Sequence, residues 1–219
     1  MTSTLLSDDR QQLTPTSFLM AGIRWQTYKA LMSDVGDRRS WRIAYDRGVL
    51  EIRMPLAEHE EPKELLGDFI AAIVDELDIE LRKLGSLRLE REDLTRAVEP
   101  DACFYIQNEA IVRGKSIDLP NDPPPDLVLE SDYTHSSLDK HSIYAALGVP
   151  EIWRYSRNTL EVYALADDRY LRVPKSIAFP FLPVADIPNF IANSKAIGQR
   201  RTIRQFRERI RDILHDRQT

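Results

Sequence analysis

The sequence predicts a single domain of the α/β (α+β) class, with a mixed β-sheet core flanked by helices. Alternating apolar runs are typical of strands, and longer apolar stripes recur at helical spacing. A third observation is a pair of short apolar runs that each open on Pro-Asp, at residues 100–106 and 125–130. We expect a flexible tail over 1–21, the core domain over 22–174, and a helical extension packed on it over 175–219.

The N-terminal half predicts two helices and a hairpin. Apolar positions recur at helical spacing from Trp25 to Val35, and Gly36 stands where a C-terminal cap belongs. Alternating residues in 41–45 and 50–54 flank an Asp-Arg-Gly turn, which indicates two antiparallel strands. A long apolar stripe then predicts a helix that begins near Pro62 and ends near Gly85.

The C-terminal half predicts strands, one short helix and a final amphipathic helix. Leu87 and Leu89 alternate with charged neighbours as a strand, and the polar stretch 92–99 predicts a loop. The Pro-rich stretch 108–124 predicts an exposed connection, either a substrate loop or a surface decoration. The remaining predictions are a helix over 138–147 that Gly148 ends, strands over 151–155, 160–165 and 170–173, a Pro-punctuated stretch 174–188, and an Arg-rich C-terminal helix.

Composition excludes several classes of protein. The chain has 219 residues, which suits one core because single cores remain workable up to roughly 250 residues. A net charge of −5 argues against a protein that coats nucleic acid by bulk electrostatics. No apolar run has the length of a membrane span, and the start of the sequence does not read as a secretory signal, so we expect a cytoplasmic protein. The single cysteine, Cys103, predicts a buried apolar position.

The two Pro-Asp runs carry the candidate chemistry. If the strand after Asp101 pairs with the strand that ends in Glu130, the two carboxylates face each other. Carboxylates hold hard cations such as Mg²⁺, and a bound water then becomes a nucleophile for a phosphodiester. Lys140 lies in the first turn of the next helix and could approach this point from the side, where its charge would stabilise the transition state. These residues predict a metal-dependent phosphodiesterase.

The order of these motifs resembles the PD-(D/E)XK nuclease superfamily and, within it, the restriction-endonuclease-like family called Uma-two. The shared pattern is Pro-Asp, then Pro-Asp-Leu-Val-Leu-Glu, then a Lys and a Tyr four residues apart, then Gly-Val-Pro-Glu before an aromatic strand. The stretch 55–59, Pro-Leu-Ala-Glu-His, resembles the family's approach to its long helix. The resemblance implies a restriction-endonuclease-like fold, a Mg²⁺-dependent endonuclease (Mn²⁺ being possible), a DNA substrate and a homodimer.

Two departures from the superfamily pattern bear on the site. Position 132, where the superfamily places its lysine, is Asp132, and the resemblance implies that the lysine has migrated to Lys140. Asp132 also stands where many family members have proline, which leaves the geometry of this loop open.

Several residues have competing interpretations. Asp126 is either a metal ligand or a turn cap. His59 is either a site residue, on the metal or phosphate side, or part of an acidic helix start. Tyr144 is interpreted as a core residue. The Arg-rich C-terminal helix is either a solvated face or a strip that contacts phosphates.

Three functions therefore remain open. The leading hypothesis is a Mg²⁺-dependent DNA endonuclease in which Asp101 and Glu130 bind the metal and Lys140 assists the attacking water. The second is a catalytically inactive binding or assembly module, which the acidic net charge and Asp132 favour. The third is a metal-dependent hydrolase of another phosphodiester. Fold analogy alone does not decide among them.

Overall fold

The computed structural model describes residues 17–36, 39–54, 60–131 and 138–217. In these ranges the strands are β1 (Ser17–Ala21), β2 (Arg42–Asp46), β3 (Val49–Arg53), β4 (Arg82–Lys83), β5 (Leu89–Arg91), β6 (Arg96–Val98), β7 (Ala102–Tyr105), β8 (Leu127–Ser131), β9 (Glu151–Ser156), β10 (Thr159–Ala166) and β11 (Arg169–Val173). The helices are α1 (Trp25–Val35), α2 (Glu60–Leu77), α3 (Glu109–Val112), α4 (Lys140–Ala146), α5 (Ile187–Ile197) and α6 (Gln199–Asp216).

The strands form two sheets. The first sheet has the order β1-β3-β2-β6-β5 and is antiparallel throughout. The second has the order β11-β10-β9-β8-β7-β4, and it is mixed because β8 and β9 are parallel while its other pairs are antiparallel. The mixed sheet that the sequence predicts is therefore the second one, and the α+β class is confirmed.

Three apolar clusters show how the layers are stacked. Helix α1 covers the outer face of the first sheet through Trp25, Tyr28 and Met32. The inner faces of the two sheets meet in a second cluster, to which α4 also contributes. Helices α2, α5 and α6 cover the far face of the second sheet and form the largest cluster. Both sheets are thus covered on both faces, and the layer between them can hold buried polar groups.

Two boundaries differ from the sequence prediction. The stretch 92–99 is not only a loop, because Arg96–Val98 form β6 and pair with both β2 and β5. The chain reverses just before this strand, where Thr95 has a φ of 49°. Helix α2 ends at Leu77 rather than near Gly85, because Asp78 adopts a left-handed φ of 53°. A non-glycine residue in that region interrupts a helix.

The two ends of the chain also contain more structure than the sequence predicts. Residues Ser17–Ala21, predicted as part of a flexible tail, form β1 against β3. Their side chains are exposed, so backbone pairing rather than apolar alternation makes this strand. Helix α5 begins at Ile187 within the Pro-punctuated stretch, since Pro188 suits the first helical turn. None of the helices in the described ranges is both long and apolar enough to cross a membrane.

Candidate active site

The candidate site lies in the layer between the two sheets. Successive residues of a strand point to opposite faces. Leu127 and Leu129 of β8 point into the large cluster with α2, so Val128 and Glu130 face the first sheet. Ala44 of β2 belongs to the inter-sheet cluster, and it is paired with Glu51 of β3. Arg53 lies two residues beyond Glu51, so it is on the same face of the first sheet, the face towards β8.

Asp101 and Glu130 lie opposite each other across two paired strands. The antiparallel register matches Ala102 with Leu129 and Cys103 with Val128, so the next step brings Asp101 opposite Glu130. The backbone N–H of Ser131 donates to Oδ2 of Asp101 at 2.7 Å, which fixes this carboxylate against the end of β8. Both acids are buried, at 8% and 6% exposure. The strand pairing predicted from the sequence is confirmed.

Helix α4 brings two donors to Glu130. Asp139 caps the helix by accepting from the backbone N–H of His141, which places Lys140 at the first helical position. Residues four apart lie on the same helix face, so Lys140 and Tyr144 point the same way. Nζ of Lys140 donates to Oε2 of Glu130 at 2.9 Å, and the Tyr144 hydroxyl donates to Oε1. Tyr144 is thus both a core residue, as predicted, and a hydrogen-bond partner of Glu130.

Arg53 connects the two carboxylates. Its Nη2 atom lies 3.4 Å from Oδ1 of Asp101 and 3.7 Å from Oε2 of Glu130. The Arg53 side chain is only 8% exposed, so these contacts occur in a region where water screens charge weakly. Two carboxylates and two cations therefore meet in one buried cluster: Asp101, Glu130, Arg53 and Lys140.

The two acids have pKa values shifted in opposite directions. Burial, followed by the nearby Glu130 carboxylate, raises the pKa of Asp101 above its ordinary value, although Arg53 and Lys140 oppose the shift. Burial acts on Glu130 in the same direction, but Lys140, Arg53 and the Tyr144 hydroxyl together hold the pKa of Glu130 below its ordinary value. Glu130 is the acid that is more firmly ionised, and Asp101 is the one that accepts a proton more readily.

The donor set fits a hard cation with few protein ligands. Mg²⁺ is commonly bound by one or two carboxylates and keeps several waters. Asp101 and Glu130 supply two carboxylates side by side, and a cation between them would offset the repulsion that raises the pKa of Asp101. Within the part of the chain that the structure describes, no group of three or more His, Cys, Asp or Glu side chains could hold a metal. Water or substrate oxygens would have to complete the coordination.

The carboxylate of Asp126 is engaged in local hydrogen bonds. Oδ2 accepts from the backbone N–H of Ile106 at 2.6 Å and of Asn108 at 3.0 Å, and Oδ1 accepts from the Asn108 side chain at 2.6 Å. These bonds fix the turn that follows β7. They favour the turn-cap interpretation of Asp126, and we do not include this residue in the proposed metal site.

Two other residues singled out in the sequence, His59 and Asp132, fall outside the described residues, so the role of His59 stays a prediction. Cys103 is fully buried, as predicted, and burial raises the pKa of its thiol to about 12. Two of the C-terminal arginines, Arg207 and Arg211, contact Glu76 of α2 at 2.6 and 2.7 Å. At these two positions, the Arg-rich face of α6 takes part in helix packing.

Sequence reasoning missed Arg53. Strand alternation assigned Leu50 and Ile52 to the buried face of β3, which left Glu51 and Arg53 for solvent. In the structure Glu51 and Arg53 are also buried, at 1% and 7% exposure, because the first sheet is covered on both faces. The one signal in the sequence was that β3 carries two charged residues, Glu51 and Arg53, on the same face.

Comparisons with known proteins agree with this fold. A solved structure of a putative nuclease of the family DUF820, from Anabaena variabilis, superposes with a TM-score of 0.52 at 16% identity. The similarity covers 77% of this chain and 99% of that one, and at this identity it shows a shared fold alone. No curated protein matches the chain.

A family comparison covers the site as well as the fold. The model of the Uma2 family, described as "putative restriction endonuclease" and called Uma-two above, matches residues 25–192. This range contains β2 to β11, α4 and each member of the buried charge cluster. Since the match spans well over half of the 219 residues, the chain belongs to the Uma2 family of restriction-endonuclease-like proteins.

Proposed function

We propose that the protein is a Mg²⁺-dependent endonuclease that hydrolyses phosphodiester bonds of DNA, with Asp101 and Glu130 as metal ligands and Lys140 as a catalytic residue. One observation carries the proposal: the Lys140 ammonium, on a side chain that is 11% exposed, contacts Glu130 at 2.9 Å while Asp101 lies opposite Glu130 on the paired strand. Membership of a family described as restriction endonucleases supports the substrate class. Mn²⁺ is an alternative metal, because it too suits carboxylate ligands.

Each residue of the cluster has a defined task in this proposal. A bound Mg²⁺ would supply Lewis acidity and make a coordinated water more acidic. Glu130, held ionised by its partners, orients the Lys140 ammonium towards the point between the acids. Lys140 can donate a hydrogen bond to a phosphate oxygen and stabilise the negative charge that develops there. Arg53 limits the repulsion between the two carboxylates before substrate binds.

The test is a nicking assay on supercoiled plasmid DNA with and without Mg²⁺. We expect Asp101→Asn and Glu130→Gln to abolish metal-dependent nicking, and Lys140→Met to slow it by about 100-fold. Glu109→Gln is the matched control, because Glu109 is equally buried and ion-paired but belongs to α3. Circular dichroism establishes that each variant folds. Full nicking by a folded Asp101→Asn protein would contradict the proposal.

A second candidate function has one observation in its favour. Arg53 and Lys140 already balance the charges of Asp101 and Glu130, so the cluster is neutral without a metal. A catalytically inactive binding or assembly module on the same fold would need only this balance of charges and no metal ion. Isothermal titration with Mg²⁺ and Mn²⁺ separates the two: saturable binding that Asp101→Asn removes favours the nuclease, and its absence favours the module.

We also propose a homodimer, because restriction-like nucleases commonly pair two copies to cut both strands of a duplex. Light scattering coupled to size exclusion measures this directly. A monomer at all accessible concentrations would contradict the dimer and leave the proposed chemistry, which needs only one copy, unaffected.

A further inference from the structure

The described part of the structure contains a cavity of about 370 Å³, and Arg42 of β2 is one of its lining residues. Its apolar wall includes Leu84, Leu87, Ile117 and Leu119, which also pack against the inter-sheet cluster. Small-molecule sites usually measure about 300 to 1,000 Å³ and combine apolar walls with a few polar groups. The cavity therefore has the size and the lining of a site for a small organic ligand.

The chain places this cavity next to the buried charge cluster. Arg42 of β2, which lines the cavity, lies directly opposite Arg53 of β3 in the antiparallel register. Residues opposite each other point to the same face of the sheet, with Cβ atoms about 5 Å apart. Glu99, another lining residue, comes two positions before Asp101. The cavity is therefore one cross-strand residue pair away from Arg53, although no member of the charge cluster lines it.

Most charges that line the cavity are already paired. Arg39 and Glu99 form a buried ion pair, and the Arg39 guanidinium also lies 4.5 Å from the ring centre of Trp41. Glu90 contacts Lys29 at 2.5 Å and Arg88 at 3.3 Å. These pairs neutralise two arginines and two glutamates of the lining.

Arg42 differs from these residues. It is the arginine of the lining that has no ion-pair partner within the described residues, and its Nε atom is buried without a hydrogen-bond acceptor. Its directly opposed neighbour is another arginine, and like charges at opposed positions of a sheet are destabilising. The remaining acid of the lining, Asp118, is exposed. An anion beside Arg42 would satisfy the free N–H and offset the repulsion.

We propose that this cavity binds one nucleotide unit of the nucleic-acid substrate, with a phosphate oxygen accepting from Arg42 and the base against the apolar wall. The phosphate supplies the missing acceptor and the negative charge. The leucines and Trp41 supply a surface that suits an aromatic base. The inference rests on the proposed function for the class of substrate, and it assigns Arg42 as a binding residue separate from the metal ligands.

Intrinsic fluorescence provides the test. Trp25 and Trp153 are buried at 6% and 0% exposure, whereas Trp41 lines the cavity. The protein is titrated with thymidine 5′-monophosphate in the presence of EDTA, with thymidine and inorganic phosphate as separate probes. We expect a saturable change with the nucleotide that Trp41→Phe removes. Thymidine and phosphate should each bind about 10-fold more weakly, because each lacks one half of the recognised group.

Arg42→Gln is the decisive variant, and we expect it to weaken nucleotide binding about 10-fold or more, as loss of a charge-assisted hydrogen bond requires. Arg42→Lys should bind more tightly than Arg42→Gln because it keeps the charge. Arg169→Gln, an exposed charge change at the far edge of the second sheet, is the matched control. Equal nucleotide affinity in wild type and in Arg42→Gln would overturn the inference, as would phosphate binding as tightly as the nucleotide.

The nicking assay separates this inference from the proposed function. If both hold, Arg42→Gln raises KM for DNA about 10-fold, in line with its loss of nucleotide affinity. Nucleotide binding that depends on Arg42 in a protein that never nicks DNA would contradict the nuclease and support the binding site. Metal-dependent nicking without Arg42-dependent nucleotide binding would contradict the binding site alone.

Discussion

The guanidinium of Arg53 lies 3.4 Å from the carboxylate of Asp101, and both side chains are buried. The same guanidinium lies 3.7 Å from Glu130. A cation that contacts both acids has the position that a metal would need in order to neutralise them. Arg53 and a divalent ion would therefore both reduce the repulsion between Asp101 and Glu130. The stabilisation that a metal gives the protein should consequently depend on whether Arg53 is present.

The first prediction concerns Arg53→Met. Removal of one partner from a buried ion pair leaves an uncompensated charge, which costs about 3 to 5 kcal/mol. We expect a large drop in the thermal midpoint without metal, and a larger stabilisation by added Mg²⁺ than in wild type, because ligand binding to the native state stabilises it.

Thermal denaturation with and without MgCl₂ measures both effects. Arg53→Lys is the companion variant, since it keeps the charge and should lose less stability. If Mg²⁺ shifted the midpoint of wild type and of Arg53→Met equally, the proposed position of the metal between Asp101 and Glu130 would be contradicted.

The second prediction concerns Lys140→Arg. Arginine can keep an ion pair with Glu130, but its side chain is longer than that of lysine, and its guanidinium group is planar and effectively never deprotonated. We expect the thermal midpoint to stay close to wild type while the nicking rate falls by about 10-fold or more, because the ammonium is no longer aimed at the same point. Full activity in Lys140→Arg would show that charge alone is required at this position.

Much of this site could be predicted from the sequence because its parts are local. Each motif spans only a few residues: the two Pro-Asp runs, the Glu near the end of β8, and the Lys and Tyr four residues apart in α4. Strand alternation and family resemblance then supply the pairing of Asp101 with Glu130, which the register confirms.

The parts that were missed depend on long-range packing. Arg53 is 48 positions from Asp101 in the chain, and its burial follows from a second sheet that covers the first. Strand β6 was missed because its three residues carry almost no alternation and form through pairing on both sides. Strand β1 is exposed at every position, so apolar patterning does not reveal it.

The third prediction concerns Asp126→Asn. This carboxylate accepts two backbone N–H bonds and one side-chain bond from Ile106 and Asn108. We expect a loss of about 1 to 3 kcal/mol in the free energy of unfolding, measured by urea denaturation, because buried acceptors of this kind stabilise the turn. Metal titration of the folded variant is the second measurement. Loss of Mg²⁺ affinity without loss of stability would instead assign Asp126 to the metal site.

The fourth prediction concerns the attachment of α6 to α2 through Glu76. The hydrogen bond from Arg211, followed by contacts with Arg207, lowers the pKa of Glu76 below its ordinary value of 4.5. A carboxyl whose pKa is lower in the folded than in the unfolded state stabilises the protein above its unfolded pKa, and this contribution disappears as the pH falls through the folded pKa. Glu76→Gln should therefore cost up to about 1 kcal/mol at neutral pH, the usual ceiling for such pairs. The difference in unfolding free energy between Glu76→Gln and wild type should shrink below pH 4.5.

Urea denaturation across this pH range measures the difference, with Glu64→Gln on the exposed face of α2 as the control. A difference that stayed constant with pH would show that Glu76 acts through packing rather than through its charge.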